Sequence, residues 1–204
     1  MGVDSSDTGV AAGHAGSLLD LVGLLYDAAA VPERWRYFLE AGARYFGAFG
    51  ANFVRYDPIH PEYALGFLTG YGNETIEQQS GAVQLFVNLR HCDPRLSYGF
   101  DHPNKPFHCR QVVSSDILHT SRSYLEVLRP FGVEYSLLVM FRERPDGFTG
   151  LAFMRGPQDE VFGQSEVDEM GELVPHLQRA LSIQDRLATM DQRTEASYRV
   201  LDGL

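Results

Sequence analysis

Apolar residues recur at helical steps of three and four along some stretches of this chain. Along others they crowd together with aromatic and β-branched residues. Ser17 precedes a run through Leu18, Leu21, Val22, Leu25 and Tyr26, whose spacing predicts a capped helix. Pro32 opens a second helix, VPERWRYFLEAGARYFG, with Trp35, Phe38, Leu39 and Tyr45 on one stripe and Gly47 at its end. GANFVRYD and EYALGFLTGYG, separated by DPIHP, read as strands over 50–57 and 62–70. Asn73 and Glu74 start a third helix through Ile76, Val83, Phe86, Val87 and Leu89, ending near Asp93-Pro94. The stretch 95–106 is expected to be a long loop, and 107–113 a short strand. Ser123-Tyr-Leu-Glu126 has capping-box spacing and opens a short helix that ends at Arg129-Pro130. VEYSLLVMF and FTGLAFM, joined by RERPDG, predict a hairpin over 133–142 and 148–155, because Pro presets one backbone angle and Gly supplies a positive one.

Ser165-Glu-Val-Asp168 begins the last helix, whose first turns are acidic, as the helix dipole favours. Its apolar positions run Met170, Val174, Leu177, Leu181, Leu187, Met190, Thr194 and Leu201, with a phase slip between Leu181 and Met190 in a coiled-coil-like stripe. Pro175 removes one ladder bond and is expected to bend the helix, while Gly171 leaves room for the ring. A stripe this apolar needs cover. The cover expected is a second copy, in a parallel homodimer through Leu177, Leu181, Leu187 and Met190; the alternative is the first helix of the same subunit.

The order of elements predicts an α+β fold: a central antiparallel sheet of about five to six strands, helices on both faces and a long C-terminal helix. Residues 1–16 are small, polar and Gly-rich and are expected to be a disordered tail. Residues 17–162 form the domain, and 163–204 the terminal helix.

Composition narrows the function. The net charge is −10, which argues against a phosphate backbone or an anionic membrane surface as direct partner. No stretch is long and apolar enough to span a bilayer, and the first residues lack the pattern of a signal peptide. Two cysteines make no disulfide framework, so a reducing cytoplasm is expected.

Candidate chemistry is sparse. His91-Cys92, His102 and His108-Cys109 offer imidazole and thiolate, ligands that zinc or copper accept. Their spacing matches no closed site, and neighbours on a strand or helix point apart. No nucleophile elbow, HExxH pair or phosphate loop occurs. The expectation is therefore no enzyme, no metal and no cofactor; a Cys/His metal or redox sensor stays open as an alternative.

LLDLVGLLYDAAAVPERWRYFLEAGARYFGA, HCDPRL, SYLEVLRPFGVEYSL and GPQDEVFGQSEVDEMGELVPHLQRAL together resemble the N-terminal sensor region of bacterial LuxR-type helix-turn-helix transcriptional regulators. That resemblance covers roughly residues 17–204 and implies a GAF-like fold with a ligand cavity beside the sheet. It also implies a homodimer, and DNA as a partner only through a C-terminal domain not present here. Asn104-Lys105-Pro106-Phe107 imitates the start of a cyclic-nucleotide motif, but Gln111-Val112 stands where its acidic pair belongs, so no cyclic nucleotide is expected.

Under the implied fold, Phe53, Phe67, Tyr71, Phe86, Phe107, Tyr124, Tyr135 and Phe153 fall on elements that enclose a cavity, with Cys109 and Leu137 beside them. Arg55 is expected to meet a carboxylate or phenolate, and the two tyrosines to donate hydroxyls. The plain alternative for each is an ordinary core position. The function expected is a small-molecule sensor signalling through its terminal helices; a ligand-free dimerisation scaffold is the alternative.

Overall fold

Ser17 caps helix α1 (Leu18–Ala30) as its position predicts: its hydroxyl accepts from the Asp20 N–H at 3.2 Å, and the Asp20 carboxylate reaches back to the Ser17 N–H at 3.0 Å. The computed structural model describes residues 16–57, 65–70, 76–141 and 147–202; side chains at 65, 76–80, 82–83 and 191–202 are not described. The tail 1–16 thus lies almost wholly outside the described residues, as do the turn at 142–146 and the first residues of the second strand and third helix.

Pro32 begins a single 3₁₀ turn (Pro32–Arg34) that leads into α2 (Trp35–Tyr45). Gly47, at φ 56°, closes that helix in the left-handed region that a side chain disfavours. The described strands are β1 (Gly50–Tyr56), β2 (Leu65–Thr69), β3 (Phe107–His108), β4 (Tyr135–Phe141) and β5 (Phe148–Arg155). They form one antiparallel sheet in the order β2-β1-β5-β4-β3. The first and last long strands are neighbours at its centre: Phe53 faces Leu151, and Leu151 faces Val139.

Helices cover both faces. On one side, α1, α2 and α7 (Gln164–Asp202) bury the odd-numbered sheet residues Phe53, Leu137, Val139, Phe141, Leu151 and Phe153. On the other, α3 (Ile76–Leu89) and α4 (Pro94–Asp101) cover the even-numbered Val54, Leu138, Met140, Phe148 and Ala152. β4 and β5 are buried on both faces almost throughout, which explains why they read as continuous apolar runs.

Three expectations need correction. The stretch 95–106 is not one long loop, because Asp93-Pro94 starts α4. Asp93 accepts from the Arg95 N–H at 3.0 Å, and Pro94 occupies the first helical turn, where its missing N–H costs nothing. The strand expected over 107–113 ends at His108, and Cys109–Val112 is a single helical turn, α5. Ser123 does not cap its helix: its backbone is already helical, and the Ser121 hydroxyl accepts the Tyr124 N–H instead. Tyr124–Leu128 forms a π-helical turn, closed by the Arg129 N–H on the Tyr124 carbonyl at 2.8 Å. A further short helix, α6 (Ser115–Thr120), lies where the apolar spacing predicts no element.

α7 is one continuous helix through Pro175, and its first half folds back on its own subunit. Leu177 and Leu181 are buried in the core with Leu21, Leu25 and Trp35. Three polar contacts fasten it there. The Tyr26 hydroxyl meets His176 Nδ1 at 3.1 Å, Trp35 Nε1 donates to Gln184 Oε1 at 3.1 Å, and Arg55 grips Asp185 with two bonds of 2.6 and 3.0 Å. Beside and beyond this clasp, where the phase slips, Ile183, Leu187 and Met190 are exposed on one stripe. Leu177 and Leu181, expected in a dimer contact, are instead buried against the helix's own subunit, because α1 and α2 cover that half of the stripe; Leu187 and Met190 are 40% and 63% exposed.

Candidate functional site

Even-numbered strand residues point away from α7, and between them and the second helical layer the packing stops short. A cavity of about 60 Å³, counted at water-molecule centres, remains there. Its floor is Asn52 and Val54 of β1, Leu68 of β2, Ser136, Leu138 and Met140 of β4, and Phe148, Gly150, Ala152 and Met154 of β5. Its roof is Phe86 of α3, Arg95 and Leu96 of α4, and Val127, Leu128, Phe131 and Val133 around the π-helical turn. A void needs only about 10–15 Å³ on this measure to admit one water, so the space exceeds a packing defect. Its lining is overwhelmingly apolar with a few polar side chains, the makeup of a small-molecule pocket.

Gly99 lets the roof sit close. A Cβ there would lie 2.5 Å from Met140 Cγ, so a glycine is what permits α4 to press onto β4.

The polar end is built from α4 and β4. Asp93 Oδ1 accepts from Arg95 Nε at 2.9 Å, and Oδ2 accepts from Nη2 at 2.6 Å. Arg95 Nη1 donates to Ser136 Oγ at 2.9 Å. Asp93, Arg95 and Ser136 are 1%, 2% and 2% exposed, so this is a fully enclosed ion pair with one hydroxyl attached. The adjacent placement on the first turn of a helix lets Asp93 cap the backbone and hold the guanidinium at once.

Of the residues singled out from sequence, Phe86 lies on the cavity wall. Phe107 is buried on the same side of the sheet, against Tyr98 and Leu138, outside the lining. Phe53, Leu137 and Phe153 face the opposite layer, with Phe67 packed at its margin. Phe53 stacks on Trp35 with centroids 4.1 Å apart. Arg55 does meet a carboxylate, but it is Asp185 of α7. The reason is parity: alternate residues of a strand point to opposite faces, and the odd set belongs to the α7 side.

Tyr124 and Cys109 are occupied elsewhere. Glu134 accepts from the Tyr124 hydroxyl at 2.9 Å, from Arg110 Nη2 at 2.7 Å and pairs with His119 Nε2 at 2.9 Å. Burial and the bond to Glu134 raise the Tyr124 phenol above its usual range. Arg110 lies over the Tyr135 ring, 5.3 Å from its centroid. Burial likewise pushes the Cys109 thiol up, only partly offset by the Ser136 N–H that donates to its sulfur at 3.4 Å, so thiolate chemistry is disfavoured there. Cys92 is exposed. Among the described residues no group of three or more His, Cys, Asp or Glu side chains could hold a metal ion, and no helix is long and apolar enough to cross a membrane. Tyr71 lies outside the described residues.

Arg95 and Ser136 escaped the sequence reading. The usable signal was the Asp93-Pro94 pair, a helix start that places the residue after it on a first turn facing inward.

Solved structures carry the same arrangement of elements. The VqsR LBD domain from Pseudomonas aeruginosa superposes with a TM-score of 0.59 at 16% identity, over 84% of this chain and 98% of that one. Escherichia coli SdiA gives 0.55 at 14% identity, over 84% of this chain and 69% of that one. CepR2 from Burkholderia cenocepacia, an N-acylhomoserine lactone dependent LuxR-family transcription factor, gives 0.52 at 16% identity, over 84% and 98%. This chain shares their fold. No family model matches the sequence, and no curated protein is similar to it by sequence. At these identities the likeness is one of architecture, and it is the architecture that the sequence resemblance implies.

Proposed function

We propose that this chain is the ligand-sensing regulatory module of a bacterial LuxR-type transcriptional regulator. It binds a small, mainly apolar organic molecule between sheet and helices and acts on DNA through a domain joined to α7. The observation that carries this reading is the cavity: an apolar chamber with a single enclosed ion pair at one end, on the reverse side of the strands that hold α7. β1 links the two. Asn52 and Val54 line the cavity, while Phe53 and Arg55, between and beside them, meet Trp35 and Asp185. A ligand that binds better to one position of β1 thereby favours one position of the helix.

Ala152 tests the cavity. It sits in the middle of the floor, and a leucine there fills the space without touching the α7 side. Ala152→Leu is expected to hold or raise the melting temperature while abolishing the thermal shift that an amphiphile library produces in the wild type. A library without effect on the wild type removes the reading.

The exposure of apolar residues on α7 beyond Leu181 supports self-association. Leu187 is 40% and Met190 63% exposed, three residues apart on one stripe, and a two-fold partner would bring both output arms together. Leu187→Glu combined with Met190→Glu is expected to convert a dimer to a monomer in light scattering after gel filtration, with circular dichroism unchanged. A wild type that is already monomeric at micromolar concentration ends the dimer proposal but leaves the cavity untouched.

A further inference from the structure

The roof of the cavity is fastened in two different ways. Over α4 it is held by enclosed side chains: Arg95 Nη1 bonds Ser136 Oγ, and Gly99 seats the helix on Met140. Over the π-helical turn the arrangement differs. Residues 114–131 follow β3 and α5, and the chain returns to the sheet at Glu134, whose N–H donates to the Arg155 carbonyl at 3.0 Å. Backbone bonds close within that segment: the Leu118 N–H on the Ser114 carbonyl, Leu125 on Ser121 and Arg129 on Tyr124. Its seat on the sheet is a small apolar cluster of its own, Leu118 and Leu128 with Val113, Val133 and Met154. Leu128, Val133 and Met154 also line the cavity. Gly132 stands at the return with φ 69°, a conformation that glycine adopts freely.

One carboxylate joins this segment to the frame. Glu134 is 8% exposed. From the frame side, Arg110 of α5 donates to Oε1 at 2.7 Å. From the segment side, the Tyr124 hydroxyl donates to Oε2 at 2.9 Å, and His119 Nε2 meets the two oxygens at 2.9 and 3.1 Å. The His119 and Tyr124 rings lie against each other with centroids 4.4 Å apart, so the two grips move together. The His119 side chain is 40% exposed. Water can therefore take the place of both grips, while Arg110 keeps the Glu134 charge paired. Opening costs hydrogen bonds to a charged group but strands no charge in the interior. Those are the energetics of a latch. The piece it holds carries a π-helical turn, a local irregularity frequent at functional sites.

We propose that residues 114–131 are a gate, which swings as one unit about Gly132 when Glu134 releases it, and through which ligand enters and leaves the cavity. The latch stands on the geometry of Glu134; the entry role rests in addition on the reading of the cavity as a ligand site.

Amide hydrogen exchange of the full chain, followed by mass spectrometry, tests the latch with no ligand present. Glu134→Gln keeps the shape, removes the charge and sets an amide NH₂ against the donors of Arg110, His119 and Tyr124. Exchange across 115–130 is expected to rise at least about tenfold, with β1 and β5 unchanged. Tyr124→Phe removes a single donor and is expected to give a rise of roughly threefold to tenfold in the same stretch; it carries the test if Glu134→Gln does not fold. Unchanged exchange across 115–130, or an equal rise in β5, overturns the latch.

N-phenyl-1-naphthylamine, an uncharged apolar fluorophore, tests the entry role by stopped flow. In the same variants its association and dissociation rates are expected to rise by one common factor, with Kd held within about twofold, because a gate changes both rates alike whereas a wall changes affinity. A weaker Kd with association unchanged overturns the gate. A wild type that does not bind the fluorophore overturns the entry role together with the ligand-site reading beneath it, and the exchange rates decide the latch independently.

Discussion

Arg95→Met is expected to lower the unfolding free energy by about 3–5 kcal/mol, the range for removing one member of a buried ion pair. In a domain of this size that is a fall in melting temperature on the order of 10 °C. The size comes from the groups that stay behind rather than from the strength of the pair. Asp93, 1% exposed, would lose the donors at 2.9 and 2.6 Å and keep one backbone N–H. Ser136 would lose its guanidinium partner at the same time. Methionine fills much of the vacated volume, so the loss is electrostatic rather than steric. The decisive comparison is the double variant Asp93→Asn with Arg95→Met. Asparagine still caps α4, and no charge is left buried, so much of the stability is expected to return. Thermal melts of the single and double variants give the answer. Equal losses in both would show that the fold depends on the side-chain shapes and not on charge balance.

That pair also shows where sequence reasoning stopped. Asp93-Pro94 was legible as a boundary, but a proline ends one helix and begins another with equal ease. Reading only the stop hid α4 and, with it, the residue that gives the cavity its polar end. The opposite holds for α1, whose cap, apolar spacing and partners all agree with Ser17 as its start. The long strands were legible because aromatic and β-branched runs are distinctive. Their facing was not. A strand such as SLLVMF, buried on both sides, carries no alternation from which to choose the cavity face. Choosing aromatics picked Phe53 and Phe153, which pack under α1, α2 and α7, while the cavity is floored by Leu138, Met140, Gly150 and Ala152. Small and flexible residues make hollows, and large rings fill them.

The terminal helix divides in the same way. Its apolar stripe read as continuous, yet a helix that passes from its own subunit to open solvent needs the same residue types on both sides of the crossing. Only the phase slip after Leu181 marked the change. In the structure, the polar contacts of Gln184 and Asp185 fall within that slip, where apolar spacing alone would have placed nothing of note.

Trp35→Ala tests the clasp and is expected to cost about 3–5 kcal/mol, the range for truncating a large buried aromatic. Trp35 is fully buried, stacks on Phe53 at 4.1 Å, meets Phe38 edge-on at 5.7 Å and donates to Gln184. Stability alone would not separate these roles, since any cavity in the core lowers it. Trp35→Phe separates them. It keeps an aromatic ring against Phe53 but removes the indole N–H, leaving the Gln184 oxygen without its donor at a cost of about 1–3 kcal/mol. Amide hydrogen exchange then locates the effect. With Trp35→Phe, faster exchange is expected to concentrate in the turns of α7 around Gln184, with the central strands β1 and β5 unchanged. With Trp35→Ala, the sheet is expected to loosen as well, because the stack that backs β1 is gone. If Trp35→Phe leaves exchange in α7 unaltered, the indole bond does not hold the helix, and Arg55 with Asp185 must carry the link from β1 alone.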